Sequence, residues 1–246
     1  MALTASPDDQ AQLLTVQAID TKLQQLGHRA KNLPEIAELA RLAAEAETLR
    51  QQRGNEAGNL EDARTELARI ESDVAVVAAR ITRDRERLAT SSSVKDVAGL
   101  EHEIEGLERR RGELEDIELQ VMERVEQLEK SLELTTAEHA DGLSRVTTVT
   151  AERDAALAAL ESEQQHAQAN RSTLVQRLPA DLMALYERQR SRYGFGASHL
   201  QGGVSGASGV RLLENELAEV RAAAPDAVLI CPDSQAILVR TGESGL

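Results

Sequence analysis

Apolar residues recur at alternating spacings of three and four through most of this chain, and nothing else in the sequence restricts its fold so strongly. Between residues 34 and 90 they fall at Leu39, Leu42, Ala46 and Leu49, then at Leu60, Ala63, Leu67, Ile70, Val74, Val77, Ile81 and Leu88. One register holds them all, interrupted by Arg53, Glu56 and Asp84. After Thr90-Ser91-Ser92-Ser93 the pattern restarts at Val97, Leu100, Ile104, Leu107, Leu114, Val121, Val125, Leu128 and Leu132, broken only by Arg111 and Glu118. A helix carrying such a seam must bury it against another, and heptads sustained at this length specify coiled coil. Three consecutive serines followed by a new helix start predict a turn, so the arms fold back as an antiparallel hairpin with its tip near residues 90–94. A parallel dimer of one continuous helix is the competing arrangement.

Segment lengths place a third helix. Ser6 can cap a start at Pro7, and Asp8 and Asp9 complement the positive end of the helix dipole. This helix runs to about Leu26 on the stripe Val16, Ile19, Leu23 and Leu26, and the stretch from Gly27 to Leu33 ends it before Pro34 opens the next. Its residues plus those of the first arm match the longer second arm, to about residue 171, so it is expected alongside the base of that arm. The hairpin is then about 115 Å long at about 1.5 Å per residue. Beyond Leu132 the seam weakens, with Thr135, His139 and Gly142 on core positions, and bending is expected there. His139 has no second metal-ligand type three or four residues away, so it reads as a packed histidine.

A thick globular core is excluded, because only three of 246 residues are aromatic and none is Trp. The formal charge is −14. Of 28 basic and 42 acidic side chains, residues 179–246 hold 6 and 8, which leaves 22 and 34 for residues 1–178. The helical part therefore repels nucleic acid on average. No stretch approaches the roughly 20 apolar residues of a membrane span, and Met1-Ala2-Leu3-Thr4 lacks the basic and apolar regions of a leader. The single cysteine, Cys231, suits a reducing compartment, and a cytoplasmic protein is expected.

Leu178-Pro179 closes the coil, dividing the chain in sequence into 1–178 and 179–246. Residues 180 to about 193 read as a short helix, and 194–209, with six glycines and three serines, as a turn-rich loop. Residues 212–223 can form another short helix. Val228-Leu229-Ile230 and Ile237-Leu238-Val239 are β-prone runs around Cys231-Pro232-Asp233-Ser234, which predicts a hairpin. The fold class is mostly α, a long antiparallel coiled-coil hairpin with a small C-terminal α+β module.

Chemistry concentrates in that module. Tyr186, Tyr193 and Phe195 lie within ten residues, beside Arg188, Arg190 and Arg192. Rings next to guanidinium groups serve RNA or single-stranded DNA through stacking and phosphate contact. The plainer account, favoured here, makes the rings a small core and pairs the arginines with acidic neighbours. The Gly202–Gly209 run has neither a following Lys nor dinucleotide glycine spacing, so it makes a poor phosphate cradle. Cys231 has no evident base, although His199 could lie nearby.

Several segments resemble, in their order, the bacterial family of coiled-coil hairpin proteins ending in a four-cysteine zinc ribbon, whose best-known members are flagellar and secretion-associated chaperone-like proteins. They are Leu14-Thr15-Val16-Gln17-Ala18-Ile19-Asp20, Leu33-Pro34, Leu100-Glu101-His102-Glu103-Ile104 through Leu114-Glu115-Asp116, Leu178-Pro179 through Tyr186, and Ile237-Leu238-Val239-Arg240-Thr241. The family's ribbon holds zinc with two C-x-x-C knuckles, four thiolates closing a tetrahedral site. Here Ser205-Gly206-Ala207-Ser208 and Cys231-Pro232-Asp233-Ser234 stand at the knuckle positions. With serine at three of four ligand positions (Ser205, Ser208, Cys231, Ser234), no zinc and no other cofactor is expected. The resemblance implies a protein-interaction adaptor or chaperone-like protein without catalysis, a monomer or weak homodimer. Glu101, Glu103 and Glu108 near the tip are its candidate partner contacts, and nucleic-acid binding by the C-terminal module is the alternative.

Overall fold

The computed structural model describes residues 3–246; Met1 and Ala2, part of the start read above for a leader, lie outside the described residues. Three long helices come first: α1 at Pro7–Lys31, α2 at Pro34–Thr90 and α3 at Val94–Val175. After them come α4 at Ala180–Tyr193, β1 at Ala197–Gln201, β2 at Val204–Ser205, α5 at Glu214–Ala222, β3 at Leu229–Ile230 and β4 at Ile237–Val239. Contacts gather the chain into two compact units, residues 35–151 and the residues up to Pro34 together with Glu152–Leu246.

In residues 35–151 the arms α2 and α3 form the antiparallel hairpin, turning through Ser91–Ser93 as the serines predict. Leu42, Leu60, Ala63, Ile70 and Ile81 of α2 are buried, as are Leu100, Ile104, Leu114 and Val121 of α3. All nine belong to the apolar series read from the sequence. Interhelical ion pairs flank the seam: Arg64 meets Glu129 at 2.6 Å, and Arg80, Arg85 and Glu66 meet Glu103, Glu108 and Arg124. The polar interruption at Glu56 is met by a polar layer, its Oε1 accepting from Gln52 Nε2 at 3.0 Å and Ser131 Oγ at 2.9 Å, with Thr135 buried alongside.

The other unit begins with α1, where Ser6 Oγ accepts from Asp9 N at 3.0 Å as the capping residue. The helix does not stop at Leu26. It continues to Lys31 and ends at Asn32, whose amide donates to the His28 carbonyl at 2.8 Å. Gly27 is tolerated inside it because a glycine costs a helix only about 1 kcal/mol, which surrounding packing outweighs. As expected from the lengths, α1 lies along the C-terminal part of α3, joined by Lys22 to Glu163 and Arg171 to Asp20.

The strands form one sheet in the order β2-β1-β4-β3, with β1 parallel to β4 and the other two pairs antiparallel. The β3–β4 pair is the hairpin expected around Cys231. Composition predicts a loop or turn-rich small module over residues 194–209; the structure places strands there, β1 and β2, turning through Gly202 and Gly203 at positive φ. Glycine-rich composition masked a strand whose pairing partner, β4, lies about forty residues away. Ile237 and Val239 pack with Leu13, Val16, Leu182 and Tyr186 in one core; Leu200, Leu217, Cys231 and Leu238 form a second on the other side of the sheet. Arg240 secures α5, donating from Nη1 to the carbonyls of Val220 and Ala223 at 3.2 and 3.0 Å and from Nη2 to that of Ala224 at 2.6 Å. Carbonyls orphaned at a helix C-terminus are thereby satisfied by one guanidinium.

Candidate functional site

The sequence places its Arg/aromatic cluster on α4 and the turn after it, and the structure splits that cluster. Tyr186 is fully buried, so it leaves the set of stacking residues. Its hydroxyl donates to Asp20 Oδ2 at 2.7 Å. Burial first, and then this bond to a carboxylate, push the phenol well above its ordinary value. Asp20, itself buried, also receives Arg171 Nε on Oδ1 at 2.6 Å, Arg171 Nη2 on Oδ2 at 3.0 Å, and the Arg190 guanidinium at 3.2 Å. Glu187 pairs with both arginines. The hydrogen bond to Asp20 outweighs burial and holds the Arg171 guanidinium firmly charged. Arg190 is thus paired with Asp20 and Glu187.

Gln17 completes the network. Its Oε1 accepts from the backbone of Gly196 at 2.8 Å and of Ala197 at 3.3 Å, fixing the entry to β1. Gly196 has no alternative here, since a Cβ would stand 2.4 Å from the Tyr186 ring. Sequence pattern does not encode this network: Asp20 and Gln17 belong to the family-like segment 14–20, but their partners lie more than 150 residues away. Both carboxylate oxygens of Asp20 accept from donors held in place by packing.

What remains of the cluster faces outward. Tyr193 and Phe195 are 46% and 40% exposed, and among the described residues no carboxylate lies within 4.0 Å of Arg188 or Arg192.

The knuckle positions come together in part. Ser205 and Cys231 are both fully buried. Burial pushes the Cys231 thiol up, but the Ser205 and Ser234 hydroxyls and the backbone N–H groups of Ser234 and Asp233 reverse this and hold it below its ordinary value. Ser205 Oγ also lies 3.2 Å from Ser198 Oγ. Ser208 instead accepts from Val210 N at 3.2 Å. His199, raised above as a neighbour for the cysteine, has its Nε2 on Thr241 Oγ1 at 2.7 Å. One thiol among hydroxyls does not fit a tetrahedral zinc site, which needs several anionic or imidazole ligands. Among the described residues no three His, Cys, Asp or Glu side chains gather as a metal site elsewhere.

Near the tip, Glu103 and Glu108 are half-buried and engaged by Arg80 and Arg85. Cross-arm arginines, invisible until the register between the arms is known, pair with both carboxylates at the surface. Glu101 is exposed.

With this geometry in hand, comparison with known proteins is decisive for the family. The model of the CT398-like coiled coil hairpin domain matches residues 16–194. The chain belongs to the CT398-like hairpin family. It is 34% identical to the uncharacterised protein Rv2229c of Mycobacterium tuberculosis, over 97% of this chain and 98% of that one. A solved structure from Mycobacterium smegmatis has 34% identity and a TM-score of 0.84, covering 97% of this chain and 100% of that one. The structure of CT398 from Chlamydia trachomatis shares the fold at 17% identity and a TM-score of 0.66, covering 95% and 98%. The CT398-like match ends one residue past α4, so the family model covers the hairpin and the Tyr186 helix while β1 to β4 lie beyond it. Among the described residues no helix is long and apolar enough to cross a membrane.

Proposed function

We propose that this chain is a non-enzymatic, cytoplasmic protein-interaction adaptor, chaperone-like in that it holds a partner along its coiled-coil hairpin. The observation that carries this is the hairpin itself. Within residues 35–151 the arms α2 and α3 satisfy each other through a narrow seam, leaving most of their surface outside it. Surface made at that cost in chain length serves contact rather than chemistry, and the buried Asp20 is committed to Arg171 and Arg190. The C-terminal module acts as a metal-free ribbon, held by its two short hairpins and the buried core around Cys231 in place of a metal. The test compares partners retained by the intact chain with those retained by a chain whose arms are shortened by equal whole heptads at the tip. Partners lost on shortening support the adaptor reading; an unchanged set ends it.

A second reading, RNA or single-stranded DNA binding, is favoured by one feature, the exposed Tyr193 and Phe195 with unpaired Arg188 and Arg192. Its test is salt-dependent retention of a single-stranded oligonucleotide by the intact chain, lost when both arginines become alanine. No retention at low salt ends it.

A further inference from the structure

The seam of the hairpin thins out before it reaches the turn. Ile81 and Ile104 are buried on it, and the cross-arm pairs of Arg80 with Glu103 and Arg85 with Glu108 brace that level from outside. Closer to the serines the seam keeps only Leu88, Val97 and Leu100, of which Leu100 is buried and the other two are half-buried. Among the described residues no hydrogen bond or ion pair joins one arm to the other between residues 86 and 102.

Asp84 stands at the boundary between these levels. It is 5% exposed and fills a seam position, yet its Oδ2 accepts no hydrogen bond, and its nearest cations, Arg87 and Arg80, belong to its own helix and stand off at 3.5 and 3.8 Å. A carboxylate in this state has lost its water without replacement, so a motion that readmits water to it is favoured. Parting of the arms at this end does so, and it gives up only the contacts of Leu88, Val97 and Leu100. Glu56 also has a bare oxygen, Oε2, but its Oε1 accepts across the arms from Ser131 at 2.9 Å, and buried Leu42 and Leu60 seal the seam on either side of it. Opening is therefore favoured at one end of the hairpin and not in its middle.

We infer that residues 82–102 form a clamp that opens as one unit at Asp84, the arms parting beyond Ile81 and Ile104 and closing again. Closed, the clamp covers Leu100 and half-covers Leu88 and Val97; open, it turns all three and the Asp84 carboxylate to water. The end of the hairpin thus alternates between a sealed and an apolar form, and Asp84 sets the balance. This opening is a property of the chain alone and stands or falls independently of what the hairpin binds.

Native-state amide exchange of the intact chain, resolved by residue, tests it. Once the arms part, their last turns are helix without tertiary support, which is marginal in water and unwinds, so opening is visible at the amides. Two helix ends that merely fray give exchange graded toward Ser92, each arm by itself. A clamp gives one shared opening equilibrium for residues 85–90 of α2 and 98–102 of α3. Asp84→Leu is expected to slow exchange on both arms by the same factor, about fivefold, with α4 unchanged. Leu100→Ala, on the opposite arm, is expected to speed it on both by at least about tenfold, because it removes the one buried apolar side chain beyond Asp84. Graded exchange in the native chain, or a change confined to the arm that carries the substitution, overturns the proposal.

Discussion

Each unit of the molecule buries a carboxylate, and the two are treated very differently. Asp20 sits where α1, α3 and α4 meet, with a tyrosine hydroxyl and two guanidinium groups on its oxygens. Asp84 interrupts the hairpin seam, nearly as buried, yet its Oδ2 has no hydrogen bond and its nearest cations, Arg87 and Arg80, stand off at 3.5 and 3.8 Å. A buried charge stabilises only when its lost hydration is replaced by bonds of good geometry. One carboxylate meets that condition and the other does not. Removing them should therefore shift stability in opposite directions.

Asp20→Ala is the largest expected effect. It leaves Arg171 with Glu187 alone and the Tyr186 hydroxyl with only Gln17 Oε1 at 3.3 Å as acceptors, and breaking a buried pair in this way costs about 3–5 kcal/mol. Thermal unfolding followed by circular dichroism reads it; a loss below about 1 kcal/mol would mean that water takes over the network and that Asp20 is not its centre. Next comes Gly196→Ala, at about 3 kcal/mol, the upper end for overpacking because the ring it strikes is fully buried. Combining it with Tyr186→Leu should cost less than the sum of the two singles, since the smaller side chain vacates the space the new methyl needs. Strict additivity would show that the glycine is required for some other reason.

Asp84→Leu tests the other side. Replacing a poorly served buried charge with an apolar side chain of similar volume is expected to stabilise the hairpin by about 1 kcal/mol, visible as slower amide exchange near the tip. Faster exchange there would mean that the two distant arginines serve Asp84 better than their distances suggest.

The contrast also explains what could be read in advance. The hairpin was legible because coiled-coil packing is periodic and local: each of Leu60, Ile70, Ile81, Leu100 and Leu114 declares its place by spacing to its neighbours, and the serines mark the turn. The cross-arm partners of Glu103 and Glu108 were not legible, because spacing along one arm says nothing of which arginine stands opposite. In the C-terminal module the deciding pairings, Asp20 with Arg171 and Ala197 with Ile237, are separated by 151 and 40 residues, and no local pattern encodes them. The edges of β3–β4 were legible from β-prone runs around a turn, whereas β1 was hidden among glycines because its order comes from β4 and from Gln17. Tyr186 and Tyr193 look equivalent as sequence; only the packing of α4 on α1 separates a buried ring from an exposed one.

The smallest expected effect concerns Cys231. Its thiol is held below an ordinary value of 9.0 by the Ser205 and Ser234 hydroxyls and by backbone N–H groups. Between the lowered value and 9.0 the folded chain has released this proton while the unfolded chain still binds it, so stability rises with pH across that window. The contribution is complete above the unfolded value and is lost as pH falls through the folded one. The test is the difference in melting temperature between the native chain and Cys231→Ala, followed from pH 6.5 to about 9.5. Other groups that titrate here cancel in the difference, and the native chain should gain on the variant as pH rises. A flat difference would mean that the hydroxyls donate elsewhere, Ser205 to Ser198 at 3.2 Å being the competing bond. The module would then rest on strand pairing, on the apolar core around Leu200 and Leu217 and on Arg240, with Cys231 acting there as a packed side chain.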